Sequence, residues 1–233
     1  MIQSIIIILI SIILLIIVRI LLGYKVSQIK EMKNNKKLND ITDKMPENIE
    51  VCKSILKMLD NEKVQIEETE NTETSLYIAV TDKITIGNIK NNFFRIQTIA
   101  HECLHSIQNR KLLMFNFIFS NIYLLYFAII CILTLFNVIN NAGQMCASIL
   151  LLMGIIQYYI RDILEQEAMQ KAPFLAKRYM EENNLCSKEE VEEIMQGYHS
   201  LNKVGIPAAQ FSLLAKNIVK FIIYEVFCLL FIV

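Results

Sequence analysis

Two histidines and a glutamate carry the chemistry most easily read from this chain. Residues 99–108 run Ile-Ala-His-Glu-Cys-Leu-His-Ser-Ile-Gln, which sets His101 and His105 four apart with Glu102 between them. On a helix, residues at that spacing share a face, and two imidazole nitrogens can reach one Zn²⁺ at about 2.0–2.1 Å. Glu102 then stands beside a water in the ion's open position, where a carboxylate serves as general base. The spacing fits metal-assisted hydrolysis. The competing reading is a pair of exposed or hydrogen-bonded histidines with no ion.

The surrounding periodicity adds weight. At about 100° per residue, Phe94, Thr98, His101, Glu102, His105, Gln108 and Asn109 gather on one side of a helix, and Phe93, Ile96, Ala100, Cys103, Leu104 and Ile107 on the other. The motif therefore occupies the polar front of a helix whose back can be buried, with Cys103 expected as a buried thiol. A catalytic zinc needs three protein ligands and an open position. His199 is the remaining histidine, but it lies near an expected helix end with no partner motif, so a structural or exposed role is expected. Residues 164–168, Leu-Glu-Gln-Glu-Ala, are the better source.

Glu165 and Glu167 compete there, and two residues apart on a helix they point about 200° from each other. Glu165 falls within the arc of Leu164, Ala168, Ala172, Leu175, Ala176 and Tyr179, whereas Glu167 falls outside it, near Lys171 and Arg178. A carboxylate on a packed face is costly unless paired or bound to a cation; one among basic side chains has a solvated explanation. Glu165 is the expected ligand.

The chain that must position these groups has 233 residues, 54% hydrophobic and 20% charged, with Lys+Arg 23 against Asp+Glu 23. It is too apolar for disorder and too neutral for nucleic-acid binding. Its apolar residues fall in blocks. Residues 5–22 carry one charge, Arg19, and as a helix would cover about 27 Å of hydrocarbon. Basic residues follow this block instead of preceding it, which favours an uncleaved anchor over a signal peptide. Residues 117–136 and 142–160 carry no charge, and the short polar link between them predicts a transmembrane hairpin. Lys216, Lys220 and Glu225 interrupt a fourth block at 211–233, which either spans, with its lysines snorkelling to an interface and the remainder barely long enough to cross, or lies in the interface. Arg19, Lys25, Lys30, Lys33, Lys36, Lys37, Arg110, Lys111 and Arg161 flank the spans, and the hairpin link has no basic residue. By the positive-inside rule the N-terminus faces out and both polar regions face the cytoplasm. The six cysteines lie singly and read as small hydrophobes or free thiols, reduced in that compartment.

The expected class is mainly α, a polytopic membrane protein with a small cytoplasmic α+β module. Residues 1–22 form the N-terminal transmembrane helix, and 23–111 a cytoplasmic α+β region with the His-Glu-x-x-His helix. The hairpin covers 112–160, a cytoplasmic helical region with the third-ligand glutamate 161–210, and the C-terminal transmembrane or interfacial helix 211–233. Within the first polar region a basic, Asn-rich linker runs to about residue 44, followed by a helix over 46–60. Strands are expected at 64–66, 76–80 and 84–86, with a hairpin turn lacking Gly at 81–83, then a helix over 91–111. In the second, helices are expected over 161–183 and 188–196, with Pro173 a kink. The acidic cluster from Glu181 to Glu193 reads as a solvated face.

A His-Glu-x-x-His helix, a transmembrane hairpin and a Glu-bearing helix, in that order, resemble membrane-embedded zinc metallopeptidases. Nearest is the bacterial membrane neutral zinc metallopeptidase family, gluzincin-like, whose Ala-His-Glu-x-x-His-x-Ile-Gln helix and later Glu-x-x-Ala segment are similar to residues 100–108 and 165–168. The CAAX-endopeptidase-like membrane proteases share the topology, but the Asp they carry four residues after the glutamate is Met169 here. The resemblance implies a zincin-like module with Zn²⁺ on His101, His105 and Glu165, and Glu102 as catalytic base. It implies a hydrolase acting on a peptide or membrane-protein substrate at the cytoplasmic surface of the bilayer. The rival classes are a non-catalytic membrane protein using a metal site for folding or partner binding, and a zinc-regulated sensor. Glu102 argues against the first, because neither imidazole needs it for ligation.

The orientation is testable by cysteine labelling: positions 30, 91 and 181 should react from the cytoplasm and position 140 from outside, because basic residues beside a span are costly to translocate. External labelling at 91 would overturn the cytoplasmic assignment.

Overall fold

A computed structural model of the chain describes residues 2–23 and 26–231. Lys25, one of the orienting basic residues, and the last two residues of the fourth apolar block lie outside them, as do the side chains of Val26, Lys30 and Asn140. The chain is mostly helical with one small sheet. In order run α1 (Ile2–Leu22), α2 (Val26–Lys33), α3 (Lys36–Thr42), α4 (Asn48–Met58), β1 (Gln65–Glu68), β2 (Leu76–Ile78) and β3 (Lys83–Ile86). Then come α5 (Arg95–Ile107), α6 (Arg110–Leu135), a short 3₁₀ turn (Asn140–Ala142), α7 (Gly143–Glu182) and α8 (Lys188–Phe231). The residues divide into two compact units, one apolar (Met1–Tyr24, Phe115–Ile163, Pro207–Val233) and one polar (Lys25–Met114, Leu164–Ile206).

Among the described residues, α1, α6 and α7 are long and apolar enough to cross a membrane by length and composition. Their Ile, Leu and Phe side chains are exposed in large numbers, an apolar surface compatible with a bilayer. The apolar unit closes on Tyr123, Ile130, Ala147, Leu150, Phe221, Tyr224 and Cys228, with Ile7 of α1 packed against them. Ser4 and Ser11 give α1 a small-residue face that is buried, and Gln144 Nε2 donates to Ser4 Oγ at 3.2 Å. Small and hydrogen-bonding residues are what let membrane helices approach closely.

Several helix boundaries differ from the sequence expectation. The supposed linker before residue 44 holds α2 and α3; Asn35 caps α3, accepting from the Leu38 amide, and Leu38 and Ile41 are buried. The expected helix over 91–111 is two helices. Gln108 is extended, at φ −65° and ψ 165°, and Asn109 Oδ1 caps α6 by accepting from the amides of Lys111 and Leu112 at 2.9 and 3.2 Å. The third apolar block and the helix expected after it are instead one 40-residue helix that passes through Pro173, because the chain changes from apolar to polar at residue 161 with no stop signal. Likewise α8 runs unbroken for 44 residues, so His199 is not at a helix end. Gly197 does not stop it: a Cβ there would lie 2.8 Å from Leu38 and 2.9 Å from Phe93, so its bare backbone is what lets α8 seat against them.

In the polar unit α4 buries Val51, Cys52, Ile55 and Leu56; of the back face expected for α5, Phe93, Ile96, Ala100, Cys103 and Leu104 are buried, with Ile99 beside them, whereas Ile107 in the last turn is exposed. The sheet order is β1-β3-β2, with β1 parallel and β2 antiparallel to β3. The β2–β3 hairpin forms without glycine because Asp82 takes φ +51°, a left-handed conformation that Asp tolerates better than most residues. Strand β2 stops at Ile78, short of the expected Val80. Where β3 ends, the segment 72–75 crosses Gly87 so closely that a Cβ would lie 2.7 Å from backbone atoms of Thr72 and Glu73.

A buried guanidinium ties these elements together. Arg95, 1% exposed, donates to the carbonyls of Thr42 (2.7 Å), Met45 (2.9 Å) and Pro46 (2.9 Å) and to Asn48 Oδ1 (3.0 Å). Asn48 passes the link on to Glu68 of β1 at 2.9 Å. Arg95→Met would strand these carbonyls in the interior, and at about 1–3 kcal/mol for each orphaned buried group the loss is expected to be on the order of 3 kcal/mol or more. Chemical denaturation of parent and variant checks this; equal midpoints would remove Arg95 from its structural role.

Candidate metal centre

His101 and His105 sit one turn apart on α5, and Glu165 opens the polar stretch of α7 within the same compact unit. Their ligand atoms all lie within 4.8 Å of one another. The two Nε2 atoms are 3.0 Å apart, and Glu165 Oε2 lies 3.4 Å from that of His101 and 3.8 Å from that of His105. A tetrahedral ion with bonds of about 2.0–2.1 Å separates its ligand atoms by roughly 3.3–3.4 Å. The observed separations bracket that value, and two histidines with one glutamate are a donor set that suits a hydrolytic zinc. The residues fit the ion.

Burial acts to raise the Glu165 carboxyl, but hydrogen bonds and charge from His101 and His105 outweigh it and hold Glu165 well below the usual carboxylate range. Burial likewise opposes charge on His105, and its bond to Glu165 with the charges of Glu102 and Glu165 raises it above the ordinary histidine range. The cluster thus binds positive charge, whether a proton or a metal ion.

His105 is also oriented from behind. Its Nδ1 lies 2.8 Å from Gln108 Oε1; a carboxamide oxygen can only accept, so Nδ1 carries a proton and Nε2 is the nitrogen turned to the cluster, able to ligate once deprotonated. The same amide donates through Nε2 to the Leu164 carbonyl at 2.8 Å and to Glu167 Oε2 at 3.0 Å. A second strut runs from Gln97 on α5 to Asn202 on α8 at 2.6 Å, and from Asn202 to the Met169 carbonyl on α7 at 2.9 Å. Gln97, Gln108 and Asn202 had no assigned role in the sequence reading. Gln108 had a visible signal, standing one turn beyond His105.

Glu102 is buried, and its Oε2 accepts from the Tyr77 backbone amide on β2 at 2.7 Å. Glu167 turns instead to Lys171 at 2.6 Å and to Gln108, and takes no place in the cluster. His199 is exposed beside the Phe174 ring. Cys103 is buried with its Sγ 3.7 Å from Cys52 Sγ, and burial pushes its thiol well above the ordinary range. The acidic residues from Glu181 to Glu193 lie at the surface.

Glu165→Ala should weaken zinc binding at least about tenfold, because one of three ligand groups is lost, whereas Glu167→Ala should change it by less than about threefold. A metal titration showing the reverse order would refute the assignment.

A scan against protein-family models, a search of curated proteins and a search of solved structures found no match to this chain.

Proposed function

We propose that this chain is a membrane-embedded, zinc-dependent endopeptidase that hydrolyses peptide bonds at the cytoplasmic membrane surface. Kinship with the bacterial membrane neutral zinc metallopeptidases is part of the proposal. The observation that carries it is the convergence within 4.8 Å of Glu165 from α7 with His101 and His105 from α5, the helix that also carries Glu102. Zinc held by these three residues would supply Lewis acidity, polarising a peptide carbonyl and lowering the pKa of a water. Glu102 takes the proton of the attacking water and returns it to the leaving amine. Its Oε2 is fixed by the Tyr77 amide, which leaves Oε1 for the transfer. Gln108 keeps His105 in the ligating tautomer, and the Asn202 strut keeps α5 and α7 in register.

The sheet supports a mode of substrate binding. Among the described residues β2 is an edge strand that pairs with β3, so an extended peptide can add along its outer side through the backbone groups other than the Tyr77 N–H, which Glu102 holds. The Tyr77 amide that holds Glu102 belongs to this strand, which brings the peptide backbone beside the general base.

Glu102→Gln keeps the side chain's shape but cannot take a proton from water. The variant is expected to bind zinc as the parent does and to lose at least about a hundredfold in peptide hydrolysis. Zinc in both proteins with equal cleavage would assign Glu102 to structure, and zinc in both with no cleavage by either would favour a structural or sensory metal site.

A further inference from the structure

The apolar unit contains a second group of polar residues, separate from the candidate metal centre. A cavity of about 190 Å³ is lined by Ser120 and Tyr123 of α6, Gln157, Tyr158 and Arg161 of α7, and Lys216, Asn217 and Lys220 of α8, with Leu124 and Leu213 completing its wall. Three of these residues are cationic and none is acidic. Lys216 and Lys220 are one turn apart on α8, and among the described residues neither forms an ion pair; Lys220 Nζ instead lies 4.8 Å from the centre of the Tyr123 ring. Two further groups at the cavity wall lack partners: the Tyr123 hydroxyl and Gln157 Oε1 are buried without a hydrogen bond. Buried polar atoms are normally paired, and an orphan in a cleft asks for water or a ligand.

An apolar groove adjoins this cavity and shares two of its residues. It is lined by Phe211, Ser212, Ala215, Val219 and the stems of Lys216 and Lys220. The lysines therefore stand where a polar pocket meets an open hydrocarbon surface. An occupant must match both sides at once: negative charge with hydrogen-bonding oxygens in the pocket, and an apolar chain in the groove. Cations between membrane helices meet that chemistry in anionic lipid headgroups.

We propose that this pocket and groove seat one anionic phospholipid, its phosphate held by Lys216 and Lys220 with Arg161 at the wall. Its phosphate accepts from the Tyr123 hydroxyl, a headgroup hydroxyl donates to Gln157 Oε1, and an acyl chain lies along Phe211, Ala215 and Val219. The charge interruptions that make α8 a poor span by composition thereby acquire a counter-charge from the bilayer. A free phosphate compound would fill the pocket but gain nothing from the groove.

The test uses the full chain in neutral detergent micelles, probed by native mass spectrometry with phosphatidylglycerol, phosphatidylcholine or sn-glycerol 3-phosphate. The parent should retain one phosphatidylglycerol at least about tenfold more strongly than phosphatidylcholine, and sn-glycerol 3-phosphate should bind at least about tenfold more weakly than phosphatidylglycerol. The double variant Lys216→Gln with Lys220→Gln should lose the preference while keeping the parent's helical circular dichroism, and Lys177→Gln, on the polar unit's surface, should keep it. Equal retention of the two lipids by the parent would overturn the proposal without any variant. Equal binding of phosphatidylglycerol and sn-glycerol 3-phosphate would overturn the lipid seat in favour of a phosphate site, and an unchanged preference in a folded double variant would remove the lysines from it.

Discussion

One carboxamide holds the candidate metal centre in register. Gln108 lies where α5 ends, and its side chain reaches His105 on its own segment and the Leu164 carbonyl and Glu167 on α7. Because its oxygen accepts and its nitrogen donates at the same time, the amide cannot be reversed without breaking both bonds to α7 and forcing His105 into the other tautomer. Tautomer, ring orientation and helix spacing are thus set by one group. The Asn202 strut reaches the Met169 carbonyl, so the two grips on α7 bracket Glu165 along the chain. Such outer contacts commonly matter to a metal site nearly as much as its ligands. Their chemistry is ordinary; their positions make them consequential.

The parts legible in the sequence were those governed by local repetition. The apolar back of α5, the burial of Cys103, the β2–β3 hairpin and the two histidines on one face follow from periods of 3.6 and 2 that depend on neighbours a turn or a residue away. Glu165 rather than Glu167 came from the same reasoning, since a packed arc excludes one of two carboxylates. What the sequence could not display were contacts between distant segments. Nothing near Gln65 announces that β1 lies parallel to β3 instead of beside β2, and Arg95 reads as a surface cation until the carbonyls of the α3–α4 turn close around it. Helix ends are hard to place in the sequence for a related reason. Polarity changes at residue 161 and a glycine at 197 resemble boundaries, yet a polarity change does not unwind a helix, and Gly197 is needed for close packing against Leu38 and Phe93.

Both units bury polar groups, and they handle them differently. In the polar unit Arg95, Asn48 and Glu68 form a chain of neutral and charged donors and acceptors that spans two helices and a strand. In the apolar unit the bonds to carbonyls are single links: the Tyr224 hydroxyl to the Gly143 carbonyl at 3.3 Å, the Asn217 amide to the Gly154 carbonyl at 2.9 Å, the Tyr126 hydroxyl to the Cys146 carbonyl at 3.1 Å. The carbonyls that accept these bonds lie within helices and already have an intrahelical partner, so the bonds add cohesion between helices without unpairing any backbone group.

The polar unit is built from two stretches of chain that the hairpin separates, and this imposes an order of events during synthesis. His101 and His105 leave the ribosome roughly sixty residues before Glu165, which at about 5–20 residues per second is a delay of some seconds. Through that interval the growing chain offers two imidazoles and no carboxylate from α7, and Gln108 has no Leu164 carbonyl to grip. The three donors assemble only after α6 and the start of α7 have been made. The site's completion is thereby timed behind the translation of the most apolar middle stretch of the protein, and a half-finished chain lacks the set that would hold a metal ion.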